Sequence, residues 1–177
     1  MYRWYTAFTL WLTDPMRPGT RTVVATLPGG GWFGAQISRD DRRIALMQYR
    51  AATDSEVWVV DVASGERRRV LPADGMPGRA AYLPGPFTAD GRGLWIASDH
   101  ASEFQELMRL DLADGSVRRL SSHIPWDVTG WDASEDGRTV AARFNVDGRE
   151  ELRKTAKIRA GQVVQYQDAR IKVLPPV

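Results

Sequence analysis

Glu56-Val-Trp-Val-Val-Asp-Val-Ala-Ser-Gly-Glu-Arg-Arg-Arg-Val-Leu71 decides the fold, because the chain carries it again as Glu106-Leu-Met-Arg-Leu-Asp-Leu-Ala-Asp-Gly-Ser-Val-Arg-Arg-Leu120. Ahead of the first copy stands Ile37-Ser-Arg-Asp-Asp-Arg-Arg-Ile-Ala-Leu46, and ahead of the second Phe87-Thr-Ala-Asp-Gly-Arg-Gly-Leu-Trp-Ile96. A third opening follows at Ala133-Ser-Glu-Asp-Gly-Arg-Thr-Val-Ala-Ala142. Asp40 to Asp90 and Asp61 to Asp111 are each 50 residues apart, and Asp90 to Asp136 is 46. A period of about 40 to 50 residues with several short strands per repeat marks the blades of a β-propeller.

Within the first full copy, four strands are predicted: Gly31–Ile37, Ile44–Tyr49, Glu56–Val62 and Arg67–Leu71. Trp58, Val60 and Val62 fall on one face of the third, and Val57 and Val59 on the other. Apolar residues on both faces suit a sheet held between two neighbouring sheets. Asp90-Gly91 and Asp136-Gly137 supply the residues that a tight turn with positive φ requires, and Asp40-Asp41 takes the same place without the glycine. Asp61 to Gly65 and Asp111 to Gly115 form the next turn, with the carboxylate accepting backbone N–H groups. These aspartates recur because the hairpins recur, so they read as structural.

Leu10-Trp-Leu-Thr-Asp14 resembles Val57 to Asp61, and Arg21 to Leu27 resembles Arg67 to Leu71. The chain therefore opens on the second half of a blade. The predicted organisation is a half blade over 1–28, blades over 29–73 and 74–122, and a degenerate or partial blade with a basic tail over 123–177. In that last part Glu150–Arg159 and Gln162–Tyr166 take the places of strands three and four. Lys154-Thr-Ala-Lys157 replaces apolar residues and Asp there, so the blade is either degenerate or abandoned near Arg153. Half a blade and about three four-stranded blades make an all-β, incomplete propeller, since a closed ring needs about four to eight. Open ends are expected to expose apolar inter-blade faces and to promote self-association.

Composition agrees with a packed β domain. Apolar residues make up 43% of 177, with seven Trp and five Tyr, and there is no Cys. Disulfides and thiol chemistry are thereby excluded. The net charge of +2 divides unevenly: five basic residues and one acid give +4 from Lys154 onward, leaving −2 before it. The basic residues are dispersed, which suits a solvated face and not a nucleic-acid site. Met1 to Leu12 lacks both the continuous apolar core and the cleavage site of a signal peptide, and is too short to cross a membrane. A cytoplasmic location is the expectation.

No arrangement with chemistry stands out, so no catalytic, cofactor-binding or metal residue is assigned and no cofactor is expected. There is no Gly-x-Ser-x-Gly elbow. Gly29-Gly-Gly31 lacks the strand-to-helix setting of a phosphate loop. The only imidazoles are His100 and His123. Ser98, Asp99 and His100 are consecutive, and neighbours on a strand point to opposite faces, so they make no hydrogen-bonded relay. Two His without Cys, and no Asp-x-Asp-x-Asp-Gly loop, leave no metal pattern. Glu150-Glu151 could grip a substrate amine but reads as a solvated hairpin end. Trp32, Trp58, Trp95 and Trp131 are expected in blade cores; Trp4, Trp11 and Trp126 have no assigned place, and exposure beside a missing blade is expected for some of them.

With these motifs, the chain resembles the N-terminal β-propeller of the prolyl oligopeptidase family of serine peptidases. The resemblance rests on Ile37 to Leu71 and Pro86 to Leu120 and covers residues 8 to 153. The same Asp-Gly-Arg and Asp-x-x-x-Gly hairpins are similar to those of the periplasmic propeller of the Tol system. The peptidase resemblance implies a non-catalytic module that gates peptide access to a separate α/β-hydrolase domain, which has no counterpart in this sequence. The tail from Lys154 departs from the family pattern. The competing readings are a protein-binding propeller of the Tol or WD-repeat kind, and a propeller with an enzymatic or sugar-binding site on its axis.

Overall fold

The computed structural model describes residues 7–76, 79–159, 162–165 and 169–170, with side chains described through Arg153. Trp4 and Tyr166 lie outside the described residues.

The strands run in the predicted order. The first sheet is a hairpin of β1 (Ala7–Asp14) and β2 (Arg17–Pro28). The second holds β3 (Trp32–Ile37), β4 (Arg43–Ala51), β5 (Asp54–Asp61) and β6 (Arg67–Leu71). The third holds β7 (Tyr82–Phe87), β8 (Gly93–Ser98), β9 (Glu106–Asp111) and β10 (Val117–Arg119). The fourth holds β11 (Val128–Ala133), β12 (Thr139–Val146), β13 (Arg149–Arg159) and β14 (Gln162–Gln165), and β15 (Ala169–Arg170) also pairs with β13. All pairing is antiparallel. This is an all-β propeller arrangement whose sheets do not close a ring. Among the described residues, no helix is long and apolar enough to cross a membrane.

Register shows that the sheets are copies of one another. Arg43 pairs with Asp61, Gly93 with Asp111 and Thr139 with Lys157. Lys157 thus occupies the place of the repeating Asp, and β13 continues through Lys154–Lys157. A bulge between Val140 and Ala141 absorbs one extra residue of β13. The fourth sheet keeps its strand order while its sequence departs from the repeat.

Three apolar seams hold the sheets face to face. Phe8, Leu10, Ala25 and Leu27 of the first sheet meet Trp32, Ile44, Leu46 and Val60 of the second. Ala45, Val57 and Val59 meet Leu94, Ile96, Met108 and Leu110 of the third. Trp95, Ala97 and Leu107 meet Val128, Val140, Ala142 and Phe144 of the fourth. Trp58 and Val62 border the first seam while Val57 and Val59 lie in the second, so β5 divides its side chains between two neighbours as its alternation requires. Burying each large aliphatic side chain contributes about 1.5–3 kcal/mol.

Two expectations change. Trp32 and Trp95 are buried, but Trp58 and Trp131 are only half-buried. Trp58 packs edge-on against Trp32, with centroids 6.0 Å apart, beneath the first sheet, whose described residues form two strands. Trp131 sits on β11, one of the strands nearest the axis, with its indole against Gly85 of β7. Trp126 is half-buried beside the third seam, and Trp11 is 47% exposed.

The second correction concerns the open ends. On the first sheet, the cross-strand partners Trp11 and Val23 are both exposed on the face away from the second sheet. Among the described residues, the far face of the fourth sheet carries no such exposed apolar pair. Arg143 occupies the register position of Met47 and Ala97, Asn145 lies beyond it, and Arg143 pairs with Glu150 at 3.7 Å.

Candidate functional site

The strand order places β3, β7 and β11 along one side of their sheets, and these three strands contact one another in succession. They are the inner strands, and the turns that leave them converge. Each turn is fixed in the same way. The Ser38 hydroxyl donates to Asp40 at 2.6 Å, Thr88 to Asp90 at 2.6 Å and Ser134 to Asp136 at 2.6 Å. The same carboxylates accept the backbone N–H of Arg42, Arg92 and Arg138. Asp41, Gly91 and Gly137 take positive φ at the turn's last corner.

These bonds explain the titration of the turn aspartates. The Ser38 hydroxyl and the Arg42 amide hold Asp40 below the usual carboxylate range, and Ser134 and the Arg138 amide do the same for Asp136. For Asp90, burial works upward, but the Thr88 hydroxyl and the Arg92 amide outweigh it and the net shift is downward. Asp61 is lowered by the Ser64 amide and hydroxyl. One oxygen of each of these carboxylates, Oδ1, is committed to its own turn. Arg39 extends the cluster, donating across 95 residues to the Ser134 carbonyl at 3.4 Å.

Ser98, Asp99 and His100 are brought together by the chain and then turned to separate tasks. Ser98 Oγ accepts the backbone N–H of His100 at 3.0 Å. Asp99 accepts the Ala81 N–H at 2.8 Å. His100 Nδ1 lies 3.1 Å from the Tyr82 hydroxyl, with the two rings tilted and 6.0 Å apart. No relay from Ser to His to Asp is present in this trio. Burial, with the charge of Asp99 added, pushes the Tyr82 phenol up. His100 also borders a groove of about 470 Å³, between the loop that follows β6 and the outer strands of the third sheet, lined with Met76, Met108, Asp114, Val117 and Arg119.

A recurring ion pair escaped the sequence reading. Glu56 pairs with Gln48, Glu106 with Ser98 and Glu151 with Phe144, which is one register position in three sheets. Glu56 is 7% exposed, accepts from the Trp58 indole at 3.0 Å and faces Arg50 at 3.0 Å and Arg69 at 3.6 Å. Glu106 is 3% exposed and is held by Arg119, with Nε 2.6 Å from Oε2. Glu151 is held by Arg153 at 2.9 Å. The first two were legible as a 50-residue spacing. The third lies 45 residues on, because β12 follows β8 at a spacing of 46 and the turn from β12 into β13 is one residue shorter than the connection from β8 to β9.

The Glu150–Glu151 pair is therefore not a solvated hairpin end as a whole. Glu151 is half-buried in its ion pair, whereas Glu150 is exposed and accepts from the Thr129 hydroxyl at 2.8 Å. Among the described residues, no three His, Cys, Asp or Glu side chains converge on a metal-sized site. His123 lies in the loop before β11 and is exposed.

Comparison with known proteins places the fold. TolB from Acinetobacter baumannii matches 89% of this chain at 20% identity with a TM-score of 0.61, over 40% of its own chain. Prolyl oligopeptidase B from Galerina marginata, in its apo form, matches 92% at 16% identity and a TM-score of 0.61, over 25% of its own chain. A puromycin-hydrolyzing peptidase of Mycobacterium tuberculosis matches 85% at 16% identity and a TM-score of 0.56, over 29% of its own chain. Identities this low show a shared fold alone, and the chain spans less than two thirds of each of these structures. No curated protein matches the sequence. A family model described as an S4 domain matches residues 141–174, a segment whose described part is strand and turn of the fourth sheet. That match covers well under half of the chain and does not alter the propeller assignment.

Proposed function

We propose that this chain is the non-catalytic propeller portion of a serine peptidase similar to the prolyl oligopeptidases, and that it gates peptide access to an α/β-hydrolase domain outside these residues. The supporting observation is coverage. The fold match to a prolyl endopeptidase extends over 96% of this chain but only 28% of the peptidase, at a TM-score of 0.58. A propeller segment of a larger enzyme would match in that proportion. Fold does not carry function, so the reading depends on what accompanies the arc.

The second reading is a protein-binding propeller of the Tol kind. It is favoured by the match to TolB and by exposed apolar side chains on the inner strands, namely Phe33, Ile37 and Leu83. Reading the coding DNA on both sides of this frame separates the two. A downstream hydrolase region with a Gly-x-Ser-x-Gly elbow supports the peptidase reading. Further blades without a hydrolase region overturn it in favour of the second.

A further inference from the structure

We infer that Asp147-Gly148, the turn between β12 and β13, is the site where this chain converts aspartate to isoaspartate, and that the product makes it a substrate for isoaspartyl carboxyl methyltransferases. Asp-Gly is the sequence most open to this change, because glycine has no Cβ to hinder attack by its own backbone nitrogen. The sequence carries five such pairs: Asp74-Gly75, Asp90-Gly91, Asp114-Gly115, Asp136-Gly137 and Asp147-Gly148. Its one Asn, Asn145, precedes Val, so the parallel reaction with loss of ammonia has no favoured site.

The chemistry needs only water. The Gly148 nitrogen attacks Cγ of the protonated Asp147 carboxyl. The C–N bond forms, the Cγ–OH bond breaks, the amide proton passes to solvent and one water leaves. Hydrolysis of the resulting succinimide at Cγ restores aspartate. Hydrolysis at the α-carbonyl routes the main chain through Cβ and leaves a free α-carboxylate, the group that the methyltransferase esterifies.

The structure restrains the other four pairs. The N–H groups of Gly91, Gly115 and Gly137 donate to the carbonyls of Thr88, Asp111 and Ser134 at 2.8, 3.0 and 2.8 Å. Asp90, Asp114 and Asp136 each accept the backbone N–H two residues on. Bonds from Ser116 and Ser134 hold Asp114 and Asp136 below the usual carboxylate range, which leaves less of the reactive acid form. Asp74 faces Arg69 at 3.1 Å, a cation that favours its ionised form. Asp147 is exposed, and among the described residues no donor or cation holds its carboxylate and no acceptor takes the Gly148 N–H. A Cβ on Gly148 would meet nothing within 4 Å, whereas one on Gly91 would meet Arg43 and one on Gly137 would meet Ala89. Asp147 also holds a left-handed φ of 50°, a corner that residues with a Cβ disfavour. Val146 and Arg149 pair across this turn, so a methylene added to the main chain loosens the hairpin end beside Arg143 and Glu150.

Whether or not the chain accompanies a hydrolase, the turn should react in the same way, and the full chain suffices for the test. It is aged folded in neutral buffer at physiological temperature, beside a sample unfolded in urea. Electron-transfer mass spectrometry locates isoaspartate, and methyl transfer from S-adenosylmethionine by a purified isoaspartyl methyltransferase counts it. The five pairs should react at similar rates in urea. In the folded chain Asp147 should react at least about tenfold faster than Asp90, Asp114 and Asp136, whose turn hydrogen bonds must first break. Ser134→Ala removes the hydroxyl donor to Asp136 and should raise the Asp136 rate several-fold while that of Asp147 stays the same. Folded-state rates at Asp90 or Asp136 that equal the rate at Asp147, or a faster reaction at Asp74, overturn the proposal. So does an aged folded chain whose Asp147 remains aspartate while the urea sample reacts there.

Discussion

Arg119 closes over Glu106 with two nitrogens of its guanidinium, reaching from β10 to the start of β9 and covering a carboxylate that is 3% exposed. The carboxylate raises the Arg119 pKa chiefly through this hydrogen bond. The pair ties the outermost strand of the third sheet to its neighbour at a point where β10 has only three residues in the ladder. Arg119→Ala leaves Glu106 buried without its cation. Because the Arg119 side chain is 42% exposed, the expected loss is about 2 kcal/mol and not the larger cost of a fully buried pair. For a chain of this size that lowers Tm by about 4–8 °C, checked by thermal melting. An unchanged Tm would show that water replaces Arg119 without cost.

Asp41 occupies the left-handed corner, φ 57°, that Gly91 and Gly137 fill in the equivalent turns. A residue with a Cβ is disfavoured there, and Asp less so than most. Asp41→Gly is expected to stabilise the chain by about 0.5–1 kcal/mol, offset in part by the freedom glycine gains when unfolded. Urea unfolding should show a higher midpoint with an unchanged slope. A lower midpoint would mean that the unfolded-state entropy dominates.

The turn carboxylates give the protein an acid limit. Asp40, Asp61 and Asp136 all titrate below the usual range, through bonds from Ser38, Ser64 and Ser134 respectively. A carboxyl depressed in the folded state binds protons more readily when unfolded. Its contribution is complete above the unfolded value, near pH 4, and fades as pH falls through the lower folded value. Tm should be flat from pH 7 to 5 and fall below about pH 4. The triple variant D40N/D61N/D136N keeps an acceptor at each turn and removes the charge, so its Tm should fall less over that range.

The exposed Trp11–Val23 pair should make the outer face of the first sheet a point of association between copies of the isolated chain. Trp11→Lys with Val23→Lys is expected to lower concentration-dependent association in sedimentation velocity. Arg143→Ala, at the other end of the arc, should leave the association of the parent chain nearly unchanged. Equal suppression by both changes would place the sticky surface elsewhere.

Much of the fold was legible because strand and turn signals repeat together. Asp-Gly at the first turn and Asp-x-x-x-Gly at the second fix where hairpins close, and the alternation Val57-Trp58-Val59-Val60 fixes which side chains face which neighbour. Exposure was harder to read. Trp58 and Trp131 have the residue type of core positions, but their cover depends on how many strands the adjoining sheet has and how near the axis they lie. The polar far face of the fourth sheet hinges on Arg143 standing where Met47 and Ala97 stand, a substitution that means little until register aligns the three. As a sequence, Ser98, Asp99 and His100 read as strand neighbours, but β8 ends at Ser98 and the other two lie in the loop beyond it. The partners of Asp99 and His100 are Ala81 and Tyr82, at the start of β7, and local sequence could not name them.

In the second and third sheets every strand pairs with the strand that precedes or follows it in the chain, and the path β11-β12-β13-β14 keeps to the same rule. Each full sheet can therefore assemble as soon as its own stretch of polypeptide has left the ribosome, with no need to wait for distant segments. The nascent chain meets its sheets in spatial order, each new one laid on a face already formed. The hairpin of β1 and β2 is made before the second sheet that packs beneath it, so its seam residues Leu10 and Leu27 wait for Trp32 and Leu46 to cover them.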